Sequence, residues 1–206
     1  PKLLALCESH GGRIGVEGTV MSGTPTLTLG MNSLIAAGIT KIQGILNGTT
    51  NYILGEMEKG AEYSAALEDA QARGYAEADP TGDVDGHDAA AKVVILANLV
   101  MGQSMTMEDV NCVGIRGLTK TDIKAARDKD QRWKLIGTVD KEGDVIQGSV
   151  KPARVNSDHP LHGISGATNA ITFSTELLGD ITLIGPGAGR IETGYALIGD
   201  ILSFSR

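Results

Sequence analysis

A dense cluster of acidic side chains is the first part of the sequence that could do chemistry. The segment from Tyr75 to Asp88 contains five carboxylates, interrupted by Pro80, Gly82 and Gly86, which predict a loop. Like charges at this density repel one another, so a fold tolerates them where the loop is solvated or where cations or ammonium groups lie among them. The segment is therefore either a solvated acidic loop or a site for a positively charged group.

A lysine follows the acidic segment at helical spacing. Asp88 and Lys92 are four residues apart among Ala, Val and Ile, so we expect both on one face of a largely buried helix over Asp88–Val100. Burial favours a neutral lysine and a nearby carboxylate restores its charge, a combination that tunes a proton donor or acceptor. The alternative is an ordinary surface ion pair, worth about 0.2–0.5 kcal/mol.

The same segment partly copies a calcium-binding loop. Asp83-Val84-Asp85-Gly86 matches the middle of an EF-hand loop. Aligning Gly86 with the invariant glycine of that loop places Lys92 where the bidentate glutamate belongs. The spacing therefore argues strongly against calcium.

Three other short segments have candidate chemistry. Asn47–Asn51 joins a predicted strand to a helix and could hold an anion on free N–H groups, or simply cap the helix. Gly185–Gly189 would let backbone approach a flat cofactor, but Arg190 breaks the GxGxxG fingerprint. His159 and His162 lack the helical spacing of metal ligands, which favours a structural loop.

The amino-acid composition restricts the classes of protein to which this chain could belong. The 206 residues are 41% apolar and 21% charged, as in a folded globular domain, and a net charge of −7 argues against nucleic-acid binding. The longest apolar run, Val93–Val100, is too short to cross a membrane.

The two cysteines, Cys7 and Cys112, form no CxxC motif, so we expect neither disulfides nor a zinc site. We therefore expect a cytoplasmic location. Because the sequence begins at Pro1 without a methionine or leader, a fragment is one expectation.

Hydrophobic periodicity predicts a mixture of helices and strands without a steady βαβ rhythm. Besides the helix over Asp88–Val100, helices are predicted over Lys2–Ser9, Thr26–Ala37, Ile53–Met57, Ser64–Arg73 and Thr193–Ser203. Strands are predicted over Arg13–Val20, Ile42–Leu46, Trp133–Val139, Val145–Val150, Asn169–Thr175 and Asp180–Ile184, with a turn at Lys141–Asp144. We therefore expect an α+β fold, a mixed sheet with helices packed on one face. The other face needs a partner, which predicts a homodimer with a mostly apolar interface.

Four segments together resemble homoserine dehydrogenase: Gly44–Leu54, Gly74–Lys92, His159–Leu161 with Asn169–Ala170, and Gly187–Gly189. The resemblance spans essentially the whole chain, and the 19-residue segment Gly74–Lys92 is its most specific part. It matches the substrate-binding, catalytic and dimerisation region of that family, so we assign residues 1–206 to this region. The family's N-terminal nucleotide-binding Rossmann domain is expected to be absent from this chain.

The resemblance implies an oxidoreductase that interconverts L-homoserine and L-aspartate 4-semialdehyde with NAD or NADP, in threonine and methionine biosynthesis. Lys92 matches the lysine regarded as proton donor and acceptor at the reacting oxygen. Glu77 and Asp88 match acids that bind homoserine, and Asp83 matches a further acid of the site. The remaining matches are Tyr75, Gly48 and Thr49, which line the substrate, and Gly74 and Gly189, which touch the cofactor.

The resemblance also implies a monovalent cation site, for sodium or potassium, in the loop from Glu17 to Pro25. By position, its ligands are Glu17, Val20, Ser22 and Thr24. The loop contains less glycine and alanine than is usual in the family.

Two departures from the family pattern predict that this chain is catalytically incomplete alone. It lacks a nucleotide fingerprint, and Lys2 lies too close to Glu17 to match the family's second catalytic lysine. Two rival hypotheses stay open: a non-catalytic oligomerisation or regulatory module derived from this domain, and an oxidoreductase of another amino-acid semialdehyde.

Overall fold

A six-stranded mixed sheet organises the protein, and the computed structural model describes residues 2–143 and 145–205. The strand order is β2-β4-β3-β1-β5-β6, where β2 and β4 are parallel and every other pair is antiparallel. The strands are β1 (Ile39–Ile45), β2 (Val110–Cys112), β3 (Gln131–Glu142), β4 (Val145–Asn156), β5 (Thr168–Thr175) and β6 (Gly179–Pro186). This architecture confirms the expected α+β class with a mixed sheet. Asp144, the last residue of the predicted turn, lies outside the described residues.

Eight α-helices accompany the sheet in the described part of the chain. They are α1 (Lys2–Ser9), α2 (Thr26–Thr28), α3 (Gly48–Glu58), α4 (Tyr63–Ala72), α5 (Thr81–Val84), α6 (His87–Leu99), α7 (Lys120–Arg127) and α8 (Arg190–Ser203). A π-helical turn, Leu29–Ser33, continues α2 directly.

The main core lies between one face of the sheet and the helices α3, α4 and α6. Ile42, Val139 and Phe173 point from the strands into this core and are at most 1% exposed. Alternate residues face the opposite side, as the two-residue period of a strand requires. There Ile45 and Ile136 form a smaller cluster with Leu161, Ile164 and Ala170, which belong to β5 and the loop before it.

The centre of that second face carries mostly polar side chains, and Ile184 is an exposed apolar residue near its edge. Cross-strand neighbours form one row across the sheet: Asn111, Ser149, Thr138, Gln43, Thr172 and Thr182. Beside this row, Lys41 pairs with Asp140 at 3.2 Å. Among the described residues, no helix contributes a side chain to the small apolar cluster on this face. The central residues of this surface are polar, and the mostly apolar dimer interface expected from the sequence stays a prediction.

Two predicted elements differ from the structure. The segment Arg13–Val20 forms no strand: it lies against α8, where the Glu17 N–H donates to Asp200 Oδ2 at 3.2 Å, and Glu17–Thr19 is a 3₁₀ turn. The predicted helix Thr26–Ala37 ends at Ser33, where the widened π turn closes and the chain bends towards β1. Helix α5 and the start of α6 lie within the segment Tyr75–Asp88, which was predicted to be a loop throughout. Strand β2 and helix α7 lie in a region for which no element was predicted.

Helix α8 exposes a continuous apolar surface. Ile191, Tyr195, Ile198 and Leu202 recur at helical spacing and are each more than half exposed. An exposed apolar surface of this kind marks an interaction site on a folded protein. Among the described residues, no helix has the length and apolar character needed to span a membrane.

Candidate active site

One cavity of about 880 Å³ lies where β1 ends and α3 begins. Four segments line it: the start of α3, the acidic segment with the start of α6, the start of β5, and the glycine turn between β6 and α8. Nine residues matched to catalytic, substrate or cofactor roles in the sequence all line this cavity: Gly48, Thr49, Gly74, Tyr75, Glu77, Asp83, Asp88, Lys92 and Gly189. The four residues matched to a cation site do not.

The Lys92 ammonium is held at the edge of the cavity by two acceptors. Its Nζ donates to Asp88 Oδ2 at 2.7 Å and to the Leu46 carbonyl at 2.8 Å. The buried side of α6, including Ala89, Val93 and Leu96, packs into the core, so Lys92 keeps only 16% of its side chain exposed. A lysine has three N–H groups, so one remains for a bound molecule.

Asn47 connects the acidic segment to α3, a role that the sequence did not predict for it. Its side-chain oxygen accepts from the Thr50 N–H at 2.9 Å, which caps α3. Its amide nitrogen donates to Asp83 Oδ1 at 2.7 Å and to Asp88 Oδ2 at 2.9 Å. The position before a helix predicted the cap, but no local signal in the sequence predicted the two distant carboxylates.

The five carboxylates of the acidic segment separate into two groups. Asp85 turns away from the cavity and pairs with Arg116 at 2.5 Å, whereas the other four line the cavity. Among them, hydrogen bonds from the Thr81 hydroxyl and then from the Thr81 N–H, which lies 3.1 Å from Asp79 Oδ1, lower the pKa of Asp79. Because Asp83 and Asp85 face different partners, they do not form a calcium loop. Among the described residues, no three His, Cys, Asp or Glu side chains cluster as metal ligands do.

The start of α3 is packed tightly against the loop before β5. A Cβ atom on Gly48 would lie 2.6 Å from the Ala167 carbonyl oxygen, so the close approach requires glycine. The Thr49 hydroxyl donates to the Tyr75 carbonyl at 2.6 Å. These two contacts fix the helix start relative to both neighbouring walls of the cavity.

Glycines shape the side of the cavity where a flat ring could lie. Gly187 packs directly on the Asn169 carboxamide, and any Cβ at this position would collide with it. Gly189 has φ +144, a conformation that L side chains rarely adopt. Gly74 has φ +75 and no atom near a would-be Cβ. At these three positions the wall offers backbone without a side chain, so a flat ring could lie close against it.

The loop matched to a cation site is built around a buried carboxylate. Both Glu17 oxygens accept hydrogen bonds at the start of α2, from the Leu27 N–H at 2.9 Å and the Thr28 N–H at 2.7 Å. Met21 and Ser22 have positive φ, so the backbone between Val20 and Thr24 turns sharply. One carboxylate beside main-chain carbonyls is a donor set that suits a hard cation, although in this structure Glu17 already serves as a helix cap.

The histidine segment forms a turn. His159 Nδ1 accepts from the Leu161 N–H at 3.1 Å, and burial lowers the pKa of His159. A ring nitrogen used in this way supports the structural interpretation of the segment.

A second lysine, Lys134, anchors the loop before β5. It is only 2% exposed and donates to Asn51 Oδ1 at 3.0 Å and to the Ile164 carbonyl at 2.6 Å. Loss of solvation lowers its pKa to about 8. Asn51 also donates to the Gly166 carbonyl at 2.9 Å. Sequence analysis missed this lysine, which lies within a predicted apolar strand.

Comparisons with known proteins agree with this geometry. Residues 25–202 match the family model for homoserine dehydrogenase. The chain is 50% identical to an NAD(+)-dependent homoserine dehydrogenase of Pseudomonas canavaninivorans over 98% of its length, and it spans 57% of that relative. Among solved structures, a homoserine dehydrogenase from Thiobacillus denitrificans matches with a TM-score of 0.96 and 33% identity, over 100% of this chain and 48% of that one. A hyperthermophilic archaeal homoserine dehydrogenase in complex with NADPH matches with a TM-score of 0.85 and 31% identity, over 99% and 59% of the two chains.

The chain thus spans about half to three fifths of the relatives that it matches, and its match to each covers nearly all of its own length. The match to the family model and the 50% identity to the Pseudomonas relative bear out the resemblance found in the sequence. The chain belongs to the homoserine dehydrogenase family.

Proposed function

We propose that this chain is the substrate-binding and catalytic part of an enzyme that interconverts L-homoserine and L-aspartate 4-semialdehyde, in threonine and methionine biosynthesis. The observation that carries the proposal is the Lys92 ammonium, held by Asp88 at the edge of a cavity that three further carboxylates line. A module retained only for oligomerisation would not require this arrangement of charges.

Lys92 is the proposed proton donor and acceptor. During reduction, its free N–H donates a proton to the aldehyde oxygen, which becomes the hydroxyl of homoserine. During oxidation, the amine takes that proton back. Asp88 keeps the lysine oriented through the 2.7 Å contact, while the Leu46 carbonyl fixes it from the other side. The nicotinamide, when bound, supplies or accepts the hydride at the carbon.

The carboxylates are proposed to bind the substrate's ammonium group. Glu77, Asp83 and Asp88 line the cavity, and clustered negative charge stabilises a cation placed among them. Gly48, Thr49 and Tyr75 line the same cavity and complete the substrate walls. Anchoring the ammonium at one end directs the other end of a four-carbon amino acid towards Lys92.

NAD or NADP is the proposed cofactor, and Gly74 and Gly189 would contact its nicotinamide end. We propose that a nucleotide-binding domain of the whole protein holds the remainder and that this chain is inactive without it. The exposed apolar surface of α8 supports a docking place for that domain, because α8 directly follows the glycine turn of the cavity. One relative is named for NAD(+) and another was solved with NADPH, so both cofactors belong in the assay.

A sodium or potassium ion is a further proposal for the Glu17 loop. Glu17 would supply a carboxylate oxygen, and Val20, Ser22 and Thr24 would supply main-chain carbonyls. The buried Glu17 and the sharp turn at Met21 and Ser22 support it. A cation there would stabilise the loop that lies against α8.

We also propose a homodimer in the cytoplasm. The polar row across the second sheet face supports a second copy as its cover, because small hydroxyl side chains allow two sheets to approach closely. A lasting dimer would bury more than about 1,200 Å². Light scattering at micromolar concentration tests the dimer, and a monomer mass would contradict it.

The proposed cytoplasmic location rests on the cysteines. The free Cys7 and Cys112 support a reducing compartment.

The test of the activity is homoserine oxidation by the whole protein, followed by nicotinamide absorbance with NAD+ and NADP+ in turn. The expected result is turnover with L-homoserine and none with the isolated 206-residue chain. Turnover of another amino-acid semialdehyde, with none of aspartate 4-semialdehyde, would favour the rival oxidoreductase.

A further inference from the structure

We propose that Asn47 is a positioning residue for this reaction: its carboxamide bridges Asp83 and Asp88 and thereby fixes the Asp88 carboxylate against the Lys92 ammonium. The proposal rests on the proposed function of the cavity. It does not require Asn47 to touch the substrate.

The contacts of Asn47 allow its carboxamide one orientation. Its Oδ1 accepts from the Thr50 N–H at 2.9 Å, and a backbone N–H can only donate, so the amide nitrogen must lie on the other side. There its two N–H bonds are both used, one on Asp83 at 2.7 Å and one on Asp88 at 2.9 Å. Asn47 is 5% exposed, so these partners are not exchanged freely for water.

The Asn47 bridge reduces the repulsion between the Asp83 and Asp88 carboxylates in the cavity. Two carboxylates that share one small site repel each other strongly unless a donor lies between them. Asn47 places a neutral donor there and adds no charge. Asp88 Oδ2 can therefore accept from both Asn47 and Lys92, while Asp88 Oδ1 makes no hydrogen bond to any described residue and remains for a ligand.

The bridge is separable from the helix cap. Capping α3 needs only the acceptor oxygen, and Asp or Ser supplies that as well as Asn does. Asn47→Asp keeps the acceptor but replaces the donor with a third negative oxygen facing Asp83 and Asp88. Asn47→Ser keeps a capping acceptor and removes the carboxamide N–H donors that bridge Asp83 and Asp88, without adding charge.

The kinetic experiment uses the whole protein with L-homoserine. We expect Asn47→Asp to lower kcat/KM for homoserine by about 100-fold, as a misplaced reacting group does. Asn47→Ser should lower it by about 10-fold, the smaller effect typical of an outer hydrogen-bond partner. The KM for the nicotinamide cofactor should stay unchanged in both. Thr119→Ala, which removes the cap of α7 outside the cavity, is the control: it should lower the melting temperature and leave kcat/KM unchanged.

Two results would overturn the proposal. One is an Asn47→Asp enzyme as active as the wild type, which a pure capping role predicts. The other is a crystal structure of the Asn47→Ser chain in which Asp88 still contacts Lys92 as in the wild type; we expect Asp88 to turn away. The crystal structure tests the positioning role of Asn47 even if the wild-type protein fails to oxidise homoserine. That failure would contradict only the proposed function.

Discussion

Two lysines that each donate two hydrogen bonds have opposite surroundings in this protein. Lys92 pairs with a carboxylate at the edge of a large cavity and keeps 16% of its side chain exposed. Lys134 is 2% exposed, and its two hydrogen-bond partners, Asn51 Oδ1 and the Ile164 carbonyl, are neutral. Burial alone does not make a lysine a reaction centre. A charged partner together with space for a ligand separates the proposed proton carrier from the structural anchor.

The largest expected effect comes from removing the amine at the cavity. Lys92→Met should lower kcat for homoserine oxidation by about 10²–10⁴, the range for losing a general acid or base. The free energy of unfolding should change by less than about 1 kcal/mol, because the ion pair with Asp88 is partly exposed. Steady-state kinetics and urea unfolding of the same sample measure both. A large stability loss with near-normal turnover would reverse the roles of the two lysines.

Lys134 should make the free energy of unfolding depend on pH. Its pKa is about 8 in the folded protein and 10.5 in an exposed chain, so between these values the unfolded state binds more protons than the folded state. The free energy of unfolding therefore gains up to about 3 kcal/mol as the pH rises from 8 to 10.5. Lys134→Met should lack this gain. Other groups also titrate in this window, so the measured quantity is the difference between the wild type and the variant.

Removing the partner of Lys134 should cost stability. Asn51→Ala leaves a buried ammonium short of an acceptor and releases the Gly166 carbonyl, so the free energy of unfolding should fall by about 1–3 kcal/mol. Urea unfolding near pH 7 measures this. Asn98→Ala is the control for the stability loss caused by removing an asparagine that anchors backbone, because Asn98 does so at Met105 but lies away from the cavity. Unchanged stability in Asn51→Ala would show that Lys134 does not anchor the loop.

The smallest expected effect concerns the acids around the substrate. Glu77→Gln and Asp88→Asn should each raise the KM for homoserine by about 10-fold, as expected for losing one hydrogen bond to a charged group. Asp88→Asn should also lower kcat, because Asp88 orients Lys92, whereas Glu77→Gln should leave kcat unchanged. The KM for the cofactor should not change. Asp85→Asn is the matched control, because Asp85 pairs with Arg116 outside the cavity. Equal effects from all three substitutions would mean that the acidic segment acts only through its overall charge.

The sequence predicted the parts of the site that depend on local spacing. Asp88 and Lys92 are one helical turn apart, and they form the expected ion pair. Gly48 and Gly189 lie at predicted turns, where the backbone comes close to a wall. The α+β class also followed, because strands and helices alternated irregularly.

The remaining features depend on contacts between segments far apart in the chain. Asn47 bridges Asp83 and Asp88 across about 40 residues, and Lys134 reaches Asn51 across 83. Periodicity describes one element at a time, so neither contact could be read from it. The Arg13–Val20 strand was predicted from hydrophobic periodicity, but contacts with α8 and the capping role of Glu17 set the structure of this segment.

Chemical rescue of Lys92→Ala by added primary amines tests the central claim most directly. The truncation leaves space beside Asp88, and a small amine such as ethylamine can enter it and carry the proton. The account predicts that ethylamine restores part of the lost kcat in the whole enzyme, that the rescued rate varies with amine basicity, and that Lys134→Ala shows no such response. Loss of activity that no amine restores, with homoserine still bound, would contradict the assignment of Lys92 as the proton carrier.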